Sequence, residues 1–192
     1  DTATPHSLAV VSVGHVCLAD ILGPMMTEQS ASPAIGTKYP LLFTYRDTLF
    51  GNGFVVEVQA TNGRALCVRE SDEEYWVYGI NPGGMAAHGE DPDTAHAAFR
   101  KTFSHILEDL AQASASFDEF QAAVRTFFDE TNEGYELEWR NAIQGVQRGE
   151  VSLGGIPTVP ANSPRAISIS VKQVENVTPQ DNSANLQYLL AA

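Results

Sequence analysis

Apolar residues fall in short β-branched and aromatic runs between Leu41 and Ile80, then recur every three or four positions from Pro92 to Arg148. They alternate again from Arg165 to Val174. The early runs predict strands: Leu41 to Arg46, Phe54 to Ala60, Arg64 to Arg69 and Tyr75 to Ile80. Asn62-Gly63 between two such runs is the strongest short hairpin signal. Ser71-Asp72-Glu73-Glu74 reads as a second turn, so residues 54 to 80 predict an antiparallel meander. Asn81-Pro82-Gly83-Gly84 ends the last strand, because Pro fixes φ and Gly allows positive φ. A short strand, Ala86 to Gly89, follows.

The helical stretch divides into three. Asp91 can accept from a first-turn N–H, Pro92 suits the first helical position, and Asp93 favours the positive helix end. The first helix then runs to about Ala113, and its stripe of Ala95, Phe99, Phe103, Ile106 and Leu110 should lie across the sheet. Ser116-Phe117-Asp118-Glu119 fits a capping box and opens the second, with Phe117, Phe120, Val124, Phe127 and Phe128 on its apolar face. The third spans about Glu133 to Arg148, with Tyr135, Trp139, Ala142, Ile143 and Val146 on one face and Gly149 as its stop. Val151 to Ser163 is a Gly/Pro-rich loop, and the strand after it carries Ile167, Ile169 and Val171 on one face. The expected class is α+β: an antiparallel meander with a helix packed across it, two further helices and a late strand. The expected division is a tail over 1–38, an α+β domain over 39–112, a helical extension with the late strand over 113–175, and a flexible tail over 176–192.

Residues 1–24 differ from the rest. Leu8 to Ala19 is apolar but shorter than the roughly 20 residues a membrane span needs, and no Lys or Arg precedes it. Met25-Met26-Thr27-Glu28 reads like a natural beginning. The expectation is that translation starts at Met25 or Met26 and that residues 1–24 are upstream sequence read in frame.

Charge narrows the function classes. The chain of 192 residues carries a formal net charge of −13, which repels phosphate backbones and attracts a basic partner. Cys17 and Cys67 form no CxxC pair, so no zinc ribbon or disulfide scaffold is expected, and a cytoplasmic setting is the default. Cys67 falls in a strand and reads as a small buried hydrophobe.

The candidate chemistry is sparse. His96 and His105 lack metal-ligand spacing and read as surface or boundary residues. His88, after the glycine loop and near Asp91, could act as an acid or base, but no nucleophile signature accompanies it. Gly83-Gly84 lacks the GxGxxG and GxxxxGK[ST] patterns, and Asp91 and Asp93 sit where a phosphate would, so nucleotide binding is rejected. The acidic residues of the helices read as solvated faces, and Phe117, Phe120, Phe127, Phe128 and Trp139 read as core. No catalytic residue, metal or cofactor is expected.

The order Tyr75 to Gly79, Asn81-Pro82-Gly83-Gly84, Ala86 to Gly89, then Asp91 to Ala95 and on to Leu110, resembles the HicB-like antitoxin family. The resemblance covers roughly residues 54–112. It implies a short antiparallel sheet with one helix across it, a partial double-stranded-RNA-binding-domain shape. It also implies a non-enzymatic antitoxin that binds and blocks a small basic ribonuclease toxin. Tyr75, Tyr78, Asn81, Gly83, Gly84 and His88 are the candidate partner-binding residues of this stretch. The family usually adds a helix-turn-helix or ribbon-helix-helix module. Here residues 113–149 form two acidic, aromatic-rich helices instead, so DNA binding is not expected. A homo-oligomer and no membrane association are expected. Two other readings stand beside this one. One is a small ligand-binding module or enzyme using the Gly83-Gly84 loop and His88. The other is a stand-alone dimerisation module.

Overall fold

The computed structural model describes residues 34–151, 159, 163–164, 166–174 and the backbone of 187–190. The elements in chain order are β1 (Lys38–Phe50), β2 (Val55–Ser71), β3 (Glu74–Asn81), β4 (Ala86–Gly89), α1 (Pro92–Ala113), α2 (Phe117–Asp129), α3 (Glu133–Gln147), β5 (Ser168–Gln173) and β6 (Gln187–Leu190). The strands form one antiparallel sheet in the order β4-β3-β2-β1-β6, with β5 also paired to β2. The class is α+β. Among the described residues no helix is long and apolar enough to cross a membrane.

The sheet corrects the predicted hairpin. Asn62-Gly63 joins no two strands, because β2 runs unbroken through it for 17 residues. Opposite it, Phe43 pairs with Gly63 and Tyr45 with Ala60, so Thr44 alone faces Thr61 and Asn62. This is a β-bulge, with Asn62 at φ 55. One extra residue reverses the alternation of faces. Before it the inward residues of β2 are Val56, Val58 and Ala60; after it they are Gly63, Ala65 and Cys67. β1, with no bulge, keeps Tyr39, Leu41, Phe43 and Tyr45 inward throughout. The bulge also divides the far edge of β2, whose first half pairs with β5 and whose second half pairs with β3. The actual hairpin turn lies at Gly51 to Phe54, closed by the Gly51 N–H on the Phe54 carbonyl at 2.9 Å.

The inner face of the sheet carries α1 and α2. Asp91 caps α1 through Thr94 in a reciprocal box, and Ser116 caps α2 by accepting from the Glu119 N–H. The buried line of α1 is Ala95, Phe99, Phe103, Leu107 and Ala111, the ridge of every fourth residue. The expected Ile106 and Leu110 flank that ridge, half-buried. Phe99 and Phe103 meet Phe43 edge-to-face at 5.6 Å each, and Phe120 of α2 meets Phe54 at 5.6 Å. The helical aromatics Phe120, Phe128 and Trp139 are therefore buried. Cys67 is buried in the inner-face core, and desolvation raises its thiol to about 12, beyond the range of a nucleophile.

α3 lies on the opposite, outer face. Trp139 and Ala142 pack there on Leu42, Leu66, Val68 and Ile80, with Val159 from the following loop. Two expectations need correction here. His96, expected at a surface or boundary, is 4% exposed on α1. The stretch 176–192, expected to be a flexible tail, contains β6, which pairs residue by residue with Leu41 to Thr44 of β1. The strand expected over Leu41 to Arg46 is longer at both ends, and the Gly36 N–H already bonds the Arg69 carbonyl at 2.7 Å. The late strand is shorter than expected, and Ile167 lies before it, 38% exposed. The expected translation start and residues 1–24 lie outside the described residues.

Candidate functional site

The six candidate residues do not form one surface, and strand parity explains why. Tyr75 and Val77 of β3 point to the inner face, while Trp76, Tyr78 and Ile80 point to the outer one. Tyr75 is therefore core, 8% exposed, with the Arg69 guanidinium 6.0 Å from its ring centre. It cannot meet a partner without opening the sheet from α1.

Asn81 and Gly83 have an internal task. The link between α2 and α3 runs along the end of β3, where the Asn132 N–H donates to the Ile80 carbonyl at 3.0 Å. The Gly83 N–H donates to the Glu130 carbonyl at 2.9 Å. Asn81 Nδ2 donates to Thr131 Oγ1 at 2.8 Å, and its Oδ1 accepts from Arg64 Nε at 2.7 Å. At Gly83 a Cβ would lie 2.4 Å from the Asn132 backbone nitrogen, so glycine is needed for this close approach. Gly84 is exposed, and a Cβ there would stand 3.4 Å from the Glu130 carboxylate, an unfavourable neighbour for a phosphate. Gly83 thus lets the helical link dock on the sheet.

Tyr78 and His88 do share a surface, and it includes residues that were not anticipated. His88 of β4 pairs across with Trp76 of β3, and their rings stack at 4.9 Å. Trp76 lies parallel to Tyr78 within 11° at 5.8 Å, and Tyr78 stacks on Tyr135 of α3 at 4.3 Å. The result is a row of four near-parallel rings, half-buried except for the exposed His88. Carboxylates are fixed at its rim. Trp76 Nε1 donates to Glu74 Oε1 at 2.8 Å, and the Tyr78 hydroxyl donates to Glu70 Oε1 at 3.4 Å. Burial pushes the Tyr78 hydroxyl above the ordinary phenol range, and Tyr135 and Glu70 beside it add to the rise. The period of two was the signal that could have found the row. It selects Trp76 with Tyr78, whereas the chosen pair, Tyr75 and Tyr78, spans opposite faces.

Beside the row, Arg64 packs 5.3 Å over the Trp139 ring and is held by Asn81 and by Glu136 at 3.3 Å. Arg140 shares Glu136 at 2.7 Å, and its hydrogen bond leads the causes that lower the Glu136 carboxyl below its usual range. Among the described residues no three His, Cys, Asp or Glu side chains stand close enough to hold a metal ion. No protein-family model, curated protein or solved structure matches the chain.

Proposed function

We propose that this is a non-enzymatic, HicB-like regulatory protein of antitoxin type that acts by binding a small basic protein, with a basic ribonuclease toxin as the partner class. The observation that carries the reading is the aromatic row Trp76, Tyr78, His88 and Tyr135, rimmed by Glu70 and Glu74, on a chain of net charge −13. Rings of this kind supply most of the contact energy at protein interfaces, while surrounding charge steers encounter and selects partners of opposite sign. The alternative of a His88-based enzyme has less support, because His88 is exposed and stacked on Trp76.

Capture from the host lysate on the immobilised full-length chain tests the reading. The expected result is a small basic protein retained at low salt and released as salt rises. A chain that retains nothing basic, and elutes as a dimer of itself, overturns it in favour of the dimerisation module.

A further inference from the structure

Twice within the described residues the chain builds the same arrangement of an aromatic ring, a carboxylate and a guanidinium. Arg64 lies over Trp139 and bonds Glu136; Arg69 lies near Tyr75 and bonds Asp72 at 2.9 Å. At the aromatic row rings and carboxylates also stand together, here bonded to each other, and no guanidinium of the described residues joins them. Trp76 and Tyr78 fix Glu74 and Glu70 by hydrogen bonds at their ring edges, and neither carboxylate meets a cation among the described residues. We infer that the face of Trp76, Tyr78 and His88, with Glu70 and Glu74, is a seat for arginine side chains of the basic partner. The inference rests on the basic-partner reading above and names the chemistry of the contact.

Arginine fits better than lysine for a geometric reason. Its planar, weakly hydrated guanidinium can pack flat against the exposed His88 end of the row while its N–H groups reach a rim carboxylate, whereas an ammonium is a point charge that keeps its water. Each carboxylate here uses one named oxygen toward its ring, which leaves the other to accept a guanidinium N–H. Nucleic acid could stack on the same rings, but its phosphates would meet Glu70, Glu74 and a net charge of −13. A neutral sugar would leave both carboxylates without a counter-charge.

The test uses the full-length chain and two fluorescent peptides, one with arginines spaced by glycine and one with lysine at every arginine position. Fluorescence anisotropy at low salt reads binding to wild type, Trp76→Leu, Glu74→Gln and the control Asp109→Asn, which removes an equal charge from the exposed face of α1. The expected result is tighter binding of the arginine peptide, weakened about two- to thirty-fold by Trp76→Leu, the range of a cation–π contact. Glu74→Gln should lower the arginine preference, and Asp109→Asn should leave it in place. Equal affinity for both peptides, unchanged in Trp76→Leu, overturns the seat but leaves a purely electrostatic basic-partner reading standing. Binding of neither peptide overturns both, and quenching of tryptophan fluorescence by a neutral oligosaccharide alone would assign the face to sugar instead. If circular dichroism shows that Trp76→Leu does not fold, Glu74→Gln and His88→Ala at the exposed end of the row decide the question.

Discussion

His96 and Tyr39 are residues at which burial conflicts with side-chain chemistry. Burial on α1 lowers the His96 imidazole from 6.5 to about 4, against the opposing pull of Asp93 and Asp91 at the helix start. In the unfolded chain the same ring takes up its proton first. Its contribution to stability is therefore complete above pH 6.5 and is lost as the pH falls toward 4. That contribution is on the order of 3 kcal/mol at most. His96→Leu should flatten the fall in urea-unfolding free energy across this window; an unchanged slope would assign the acid sensitivity to other groups. Tyr39 buries a hydroxyl with no hydrogen-bond partner among the described residues, and desolvation raises it to about 12. Tyr39→Phe removes the unmet group and keeps the ring, so the urea midpoint should hold or rise, by up to about 1 kcal/mol in stability. A clear loss would mean that the hydroxyl is satisfied in solution.

The bulge in β2 is the element on which both halves of the sheet depend. Gly63 sits under the Phe43 ring, and a Cβ there would come within 2.4 Å of it. Phe43 is itself wedged against Phe99 and Phe103 of α1 and cannot move away. Gly63→Ala should therefore cost roughly 1–3 kcal/mol, as overpacking does, measured by thermal unfolding. Asn62 differs in kind: its side chain donates to the Pro164 and Ala166 carbonyls at 2.9 and 3.1 Å, tying the bulge to the approach to β5. Asn62→Gly keeps the backbone and loses those bonds, whereas Asn62→Val also strains the left-handed φ, so the valine variant should be the less stable. The same feature shows where sequence reading reached its limit. Asn-Gly marks a positive φ, which a hairpin turn and a bulge share, and only the pairing of β1 along all of β2 separates them. The helix starts were legible because Asp91 with Thr94 and Ser116 with Glu119 are local. The placement of α3 on the outer face was not legible, since its stripe could serve either face. The aromatic row was half legible, because Tyr78 and His88 lay in the recognised stretch while Tyr135 reaches it from a helix distant in sequence.

For the molecule as a whole, net charge and sheet edges act in opposite directions. β1 is 13 residues long, and β6 covers its outer edge only at Leu41 to Thr44. That stretch overlaps the buried run Tyr39 to Phe43 of β1, with Leu41 and Phe43 facing α1 and Leu42 facing α3. Removing residues 175–192 uncovers a main-chain edge backed by the core, and such an edge recruits another strand. The charge of −13 opposes that recruitment by mutual repulsion between copies. The repulsion is long-ranged, and roughly 0.15 M salt screens it beyond about 8 Å, whereas strand pairing acts at contact and is not screened. A chain ending at Val174 should therefore self-associate more than the full-length chain, and more strongly as salt rises, read by light scattering across a concentration series. A basic partner held by charge shows the reverse dependence, tight at low salt and loose at high. The two associations can thus be separated in one salt titration. A truncated chain that matches the full-length one in mass and melting temperature at every salt concentration would show that β6 does not guard the edge.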